Sequence, residues 1–207
     1  MPKAHMNIFA EYNFNDSYEK YRESYYENHR ATRKPLSPST YSKKLADHDN
    51  VSKDVIFLDL TDETRNIHID DPTQFGTDVH DGIQATIEKR PLDKALTDYH
   101  KLMIDRAFKL CPELYTAEAE VNVSGKFANK DFAGQADAII HNSDGTLTIV
   151  DFKNYKTVTE WDLSNHTWQL KIYAHLAAQQ YGKPVKDIKV IYNRQDVMHT
   201  EEYHVEA

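Results

Sequence analysis

Asp137, Asp151 and Lys153 combine residue types and spacings that suit hydrolysis at a phosphate. The two acids flank the short segment NSDG and lie 14 positions apart. Folded as a tight hairpin, that stretch brings the carboxylates within a few ångströms across neighbouring strands. Two carboxylates so placed repel unless a cation sits between them. Hard oxygen ligands in that number suit Mg²⁺ or Mn²⁺. Lys153 follows Asp151 by two residues, so on a strand both side chains share a face while Phe152 turns to the other. There an ammonium can hold or deprotonate an attacking water and offset charge building on a phosphate. Taken alone, D-x-K is a common tripeptide, and two solvated strand-end acids read equally well.

The elements that must position these residues are legible in outline. Gln135 to His141 and Thr146 to Phe152 are β-rich runs about an Asp144-Gly145 turn. A helix is expected from about Leu163 to Tyr181, closed by Gly182 with Pro184 beyond. Upstream, Ser37-Pro38 starts a short helix through Tyr41 to Ala46, and Val55 to Leu60 reads as a strand. Asp71-Pro72 starts a second helix with Phe75, Val79, Ile83 and Ile87 on one face, ending near Lys89. A third is expected from Asp93 to Leu110, with Leu96, Tyr99, Met103, Ala107 and Leu110 along one side. Alternation predicts a strand near Ala119 to Val123, and IKVIYN and EEYHVE a closing β pair. This order makes the fold α/β, with a central mixed β-sheet flanked by helices.

GQADAII, then VDFK, then a helix carrying WQLKIY resembles the RecB-like exonuclease branch of the PD-(D/E)XK nuclease superfamily. The resemblance covers roughly residues 36 to 195. It implies a restriction-endonuclease-like core and a Mg²⁺- or Mn²⁺-dependent deoxyribonuclease. In that branch a Q-x-x-x-Y helix follows the D-x-K strand, which gives Gln169 and Tyr173 a catalytic part beside Lys153. FGTDVHDGIQATIE resembles the family helix with a small residue four positions before a histidine, here Gly76 and His80. By that analogy His80, Asp137 and Asp151 ligate the metal together with the carbonyl of Phe152. Glu120 occupies a place where relatives often carry a glutamate, with either an accessory metal role or a sheet-edge role. LSPSTYSKKL matches a first helix whose part is structural. Asn154 departs from the threonine that relatives often have after the lysine. The implied partner is DNA, with the chain acting alone or beside a helicase, recombinase or CRISPR-adaptation protein.

Composition bounds these readings. At 207 residues one nuclease domain over residues 36–207 is expected, preceded by a polar, tyrosine-rich segment at residues 1–35. Tyr18, Tyr21 and Tyr25 in that segment suit an amphipathic docking helix or a base-stacking platform. Formal charge is 25 − 33 = −8, which argues against a broad basic surface coating nucleic acid. Local positive charge is expected from Lys126, Lys130, Lys153, Lys156 and Lys171. Cys111 is the lone cysteine, which excludes an iron–sulfur cluster held by four cysteines. No G-x-x-x-x-G-K-[ST] loop is present, so no nucleotide cofactor is expected. Nothing reads as a signal peptide or membrane span, which makes the expected setting cytoplasmic. Two alternatives stay open: a nuclease-fold protein that binds DNA or a partner without turnover, and an enzyme that cleaves RNA.

Overall fold

A computed structural model describes residues 36–46, 55–59, 71–92, 94–155 and 158–194. In chain order these form helix α1 (Pro38–Leu45), strand β1 (Val55–Asp59), α2 (Pro72–Ile87) and α3 (Asp98–Leu110). A 3₁₀ turn (Pro112–Thr116) leads into β2 (Glu118–Phe127), β3 (Lys130–His141) and β4 (Leu147–Tyr155). Helix α4 (Glu160–Tyr181) and β5 (Val185–Arg194) complete the set. The tyrosine-rich segment, Lys156 and the expected EEYHVE strand lie outside the described residues.

The five strands form one mixed sheet in the order β1-β5-β4-β3-β2. β1, β5 and β4 run parallel, and the β4-β3-β2 half is antiparallel. Helices cover both faces, as an α/β sheet with two apolar faces requires. On one side α1 and α4 pack over Leu147, Ile149, Ile188 and Val190; on the other α2 and α3 pack over Ala138, Ile140, Val150, Phe152 and Ile191.

Local chemistry accounts for the element ends. Asp71 accepts hydrogen bonds from the backbone N–H groups of Thr73 and Gln74, so α2 starts at the expected Asp-Pro pair. Thr159 and Asp162 form a reciprocal capping box at the start of α4, and Gly182 ends it in the left-handed region at φ 63°. The third helix differs from expectation: it begins at Asp98 rather than Asp93, because Thr97 and His100 form its capping box. Its buried stripe is Met103, Ile104, Ala107 and Phe108, and Leu110 stays exposed. Lys94 upstream instead bridges Asp78 and Asp81 of α2.

The β2–β3 hairpin escapes sequence reading. Its turn residues Ala128 and Asn129 both have positive φ, 49° and 56°, where glycine is the usual signal. β2 is an edge strand, and α4 protects it. Gln179 accepts from Lys126 N and donates to Lys126 O, while Gln180 accepts from Ser124 N and donates to Asn122 O. These two amides satisfy groups that a bare edge would offer to another strand.

Helix α4 is buried on nearly every side, including polar residues of its first half. Asn165 accepts a hydrogen bond from Ser42 of α1. His166 sits between the hydroxyls of Tyr155, 3.1 Å from Nε2, and Tyr192, 2.7 Å from Nδ1. Burial pushes its pKa down to about 3, aided by the nearby Lys153 charge. A histidine kept neutral by the fold contributes stability that is complete above its unfolded pKa near 6.5 and lost as pH falls towards 3. Unfolding free energy from urea titrations should therefore decline over that window by up to about 1.4 kcal/mol per pH unit from this residue. His166→Gln should be less stable at pH 7 and should show a flatter pH dependence; an equally steep curve would contradict the assignment.

Candidate metal centre and catalytic cleft

Strand register sets the site. β2 pairs with β3 through Ala119↔Ala138 and Val121↔Ala136, which places Glu120 opposite Asp137. β3 pairs with β4 from His141↔Leu147 to Ala138↔Val150 and stops there, so Asp137 and Asp151 would be the next pair. Glu120, Asp137 and Asp151 thus occupy one row across three adjacent strands.

The backbone departs from regular pairing along this row. Glu120 has φ 49°, a left-handed conformation that costs a non-glycine residue stability. Asp137 replaces a ladder bond: its Oδ2 accepts the Phe152 N–H at 2.7 Å. The faces also exchange here. Ala138 and Ile140 belong to the α2–α3 core, whereas Phe132 and Ala136 join the α4 core. Beyond Asp137 the β2–β3 arm curls over α4, and β3 separates from β4 to open a gap that both helical layers can reach.

From one layer α2 brings His80. Its Nε2 lies 3.1 Å from the carbonyl oxygen of Phe152, and its Nδ1 lies 3.7 Å from Asp137 Oδ2. A carbonyl only accepts, so the bond requires a proton on Nε2, and Nδ1 faces the acids. His80, Glu120 and Asp137 each offer a ligand atom within 4.8 Å of the others. Glu120, expected only as an accessory, is therefore inside the converged group. Asp151 is not: its carboxylate turns to Lys153, with Nζ 2.6 Å from Oδ2, and accepts from Gln169 Nε2 at 3.4 Å on Oδ1. The Phe152 carbonyl, expected as a ligand, faces His80.

From the other layer α4 brings Gln169 and Tyr173, one turn apart and both buried. Tyr173 is wedged against Gly134, where an added Cβ would stand 2.9 Å from Cε1 of the ring and 2.9 Å from Pro38 Cδ. Only glycine admits this approach. Burial, with Asp151 and Asp137 close by, pushes the phenol up to about 12, so it stays a neutral donor.

The electrostatics follow from burial and like charge. Burial raises Asp151, and Asp137 adds to the shift against the pull of Lys153. Burial also works against the Lys153 ammonium, but Asp151 and Asp137 outweigh it and hold the proton on Nζ. Glu120 is raised by burial, with Asp81, Glu88 and Asp151 opposing the pull of His80. The Asp151 Oδ2 is buried against the Lys153 ammonium. A crowded row of carboxylates with an imidazole nitrogen converging on it fits a hard divalent cation. An open cleft of about 560 Å³, lined by Gly76, Thr77, His80, Asp81, Glu120 and Tyr155 among others, leads to this point.

Residues 112–206 match the family model of the PD-(D/E)XK nuclease superfamily. The match covers less than half of the chain, and the α/β fold with its mixed five-stranded sheet is consistent with the fold of these nucleases. The match spans Glu120, Asp137, Asp151, Lys153, Gln169 and Tyr173, while Gly76 and His80 lie upstream of it. No curated protein matches the chain. PD-(D/E)XK nucleases generally use divalent metals, and the converged histidine and acids are consistent with that habit. The expected lysine cluster is only partly available to such a site. Lys171 is buried with Nζ 5.1 Å over the Trp168 ring, and Lys126 pairs with exposed Asp131. No helix of the described residues is long and apolar enough to cross a membrane.

Because the fold raises the pKa of Glu120, its ionised form costs stability above that folded pKa, and the cost is relieved as pH falls. Glu120→Gln should therefore raise the melting temperature in EDTA at pH 7. A lower melting temperature in EDTA would show that the carboxylate is not under strain.

Proposed function

We propose that the chain is a Mg²⁺- or Mn²⁺-dependent deoxyribonuclease of the RecB-like branch, acting as an exonuclease. The observation that carries this reading is the row Glu120–Asp137–Asp151 with His80 above it and Lys153 paired within it. A protein without turnover has no physical need to crowd three carboxylates and bury a lysine among them.

His80, Glu120 and Asp137 would hold the cation, with Asp151 next in the row. When bound, the cation supplies positive charge to a phosphoryl oxygen and acidifies water. The remaining work falls to the chain. Lys153 keeps its proton beside two carboxylates, so its Nζ acts as a donor that holds the water or a phosphate oxygen rather than as a base. Gln169 donates to Asp151 Oδ1 and restrains that carboxylate. Tyr173 keeps a phenolic proton beside the same acids and closes the buried side of the site against water.

Purified protein should degrade linear DNA with Mn²⁺ or Mg²⁺, not with EDTA, and should spare closed circles. Lys153→Ala should lower the rate by about 10² to 10⁴. Absence of cleavage by the wild type, or full activity in Lys153→Ala, would overturn the reading. Cleavage of RNA in preference to DNA would reassign the substrate.

A further inference from the structure

Asn154, next to the D-x-K lysine, makes a contact that the hydrolytic reading leaves unused. Its Nδ2 donates to the carbonyl of Pro72 in the first turn of α2 at 2.9 Å. Its Oδ1 accepts from Nδ2 of Asn193, its register partner on β5, at 2.8 Å. Asn193 is buried at 4% exposure, and its Oδ1 has no partner among the described residues. Burying an amide with half its capacity unused costs stability. Its bond to Asn154 aims the Asn154 amide at the helix.

Asn154 also lies against Gly76, whose missing side chain would meet Asn154 Cβ at 3.4 Å. Gly76 and His80 are one helical turn apart on α2, and Asn154 and Phe152 are two residues apart on β4. Four helical residues advance about 6 Å and two strand residues about 6.6 Å, so the two spacings match. Gly76 seats on Asn154 where His80 seats on the Phe152 carbonyl. The apolar face of α2 already packs on the sheet through Phe75, Val79 and Ile83, and the Asn154 contact adds a polar stop at the start of the helix that fixes where His80 sits along β4.

We propose that Asn154, aimed by Asn193, is a positioning residue that locks α2 onto β4 and thereby presents the Nδ1 of His80 to the metal donors. This rests on the metal-site reading above. It assigns Asn154 no contact with substrate; its effect passes through His80.

The test pairs Mn²⁺ titration calorimetry with ¹⁵N-histidine NMR on wild type, Asn154→Ala, Asn193→Ala, His80→Ala and the Asn154→Ala/His80→Ala double variant. Asn154→Ala should weaken Mn²⁺ binding about tenfold, the scale typical of outer-shell partners. Asn193→Ala, which leaves α2 and Asn154 in place, should cause a smaller loss in the same direction. In the His80→Ala background Asn154→Ala should have no further effect. Without metal, His80 should show a fixed Nε2–H tautomer in wild type and a mixed one in Asn154→Ala. Equal weakening in both backgrounds, or an unchanged His80 tautomer in Asn154→Ala, would overturn the proposal. If the wild type binds no Mn²⁺, the metal reading fails, and the tautomer signal alone decides for or against Asn154.

Discussion

The site depends on one local event, the end of the β3–β4 ladder at Ala138↔Val150. Continued regular pairing would have set Asp137 and Asp151 side by side in a closed sheet. Instead the Asp137 carboxylate takes the Phe152 N–H that a backbone carbonyl would have taken, so the strands part without orphaning a buried donor. The gap admits side chains from both helical layers, which a continuous sheet would keep apart. His80 comes through from α2, and Gln169 and Tyr173 from α4. The left-handed Glu120 performs a matching service on β2, turning that strand where its neighbour turns.

Such an arrangement is held against its own electrostatics. Burial and like charge act on Glu120 and Asp151, and the Lys153 ammonium answers only part of the negative charge. The fold offsets this elsewhere. α4 is enclosed by α1, the sheet and the curled β2–β3 arm, and its polar first half is tied by Ser42, Tyr155 and Tyr192. Its glutamines close the β2 edge. The most enclosed helix thus carries the residues beside the most unfavourably placed acids, which keeps Gln169 and Tyr173 in register while the row remains crowded.

Sequence legibility followed the range of the interactions. The Asp144-Gly145 turn, the Asp71-Pro72 cap, the Gly182 stop and the apolar stripe of α2 are short-range signals, and each element formed where expected. The spacing of Asp151, Lys153, Gln169 and Tyr173 was readable because strand and helix periods fix which side chains share a face. The Ala128-Asn129 turn was not, since neither residue advertises a positive φ. Thr97 capped a helix whose start the sequence suggested at Asp93. Glu120 stayed ambiguous because its place beside Asp137 depends on β2–β3 register and on strain at one φ angle, and local pattern encodes neither. Lys171 looked like a surface cation until burial of nearly every face of α4 turned it onto Trp168.

Charge decides how a polyanion would meet this cleft. The chain is acidic overall, and the described cleft lining includes Asp81 and Glu120 but no lysine or arginine. Lys153 lies deeper and is already paired with Asp151. A phosphate approaching the acid row alone would face repulsion that ionic screening weakens only beyond roughly 8–10 Å. On the nuclease reading, a cation held by the acids would supply attractive charge at this point, so its loading would favour productive contact with the backbone. On the same reading the crowded carboxylates would repel the substrate without an ion, and with one they would place positive charge at the point where the strands part.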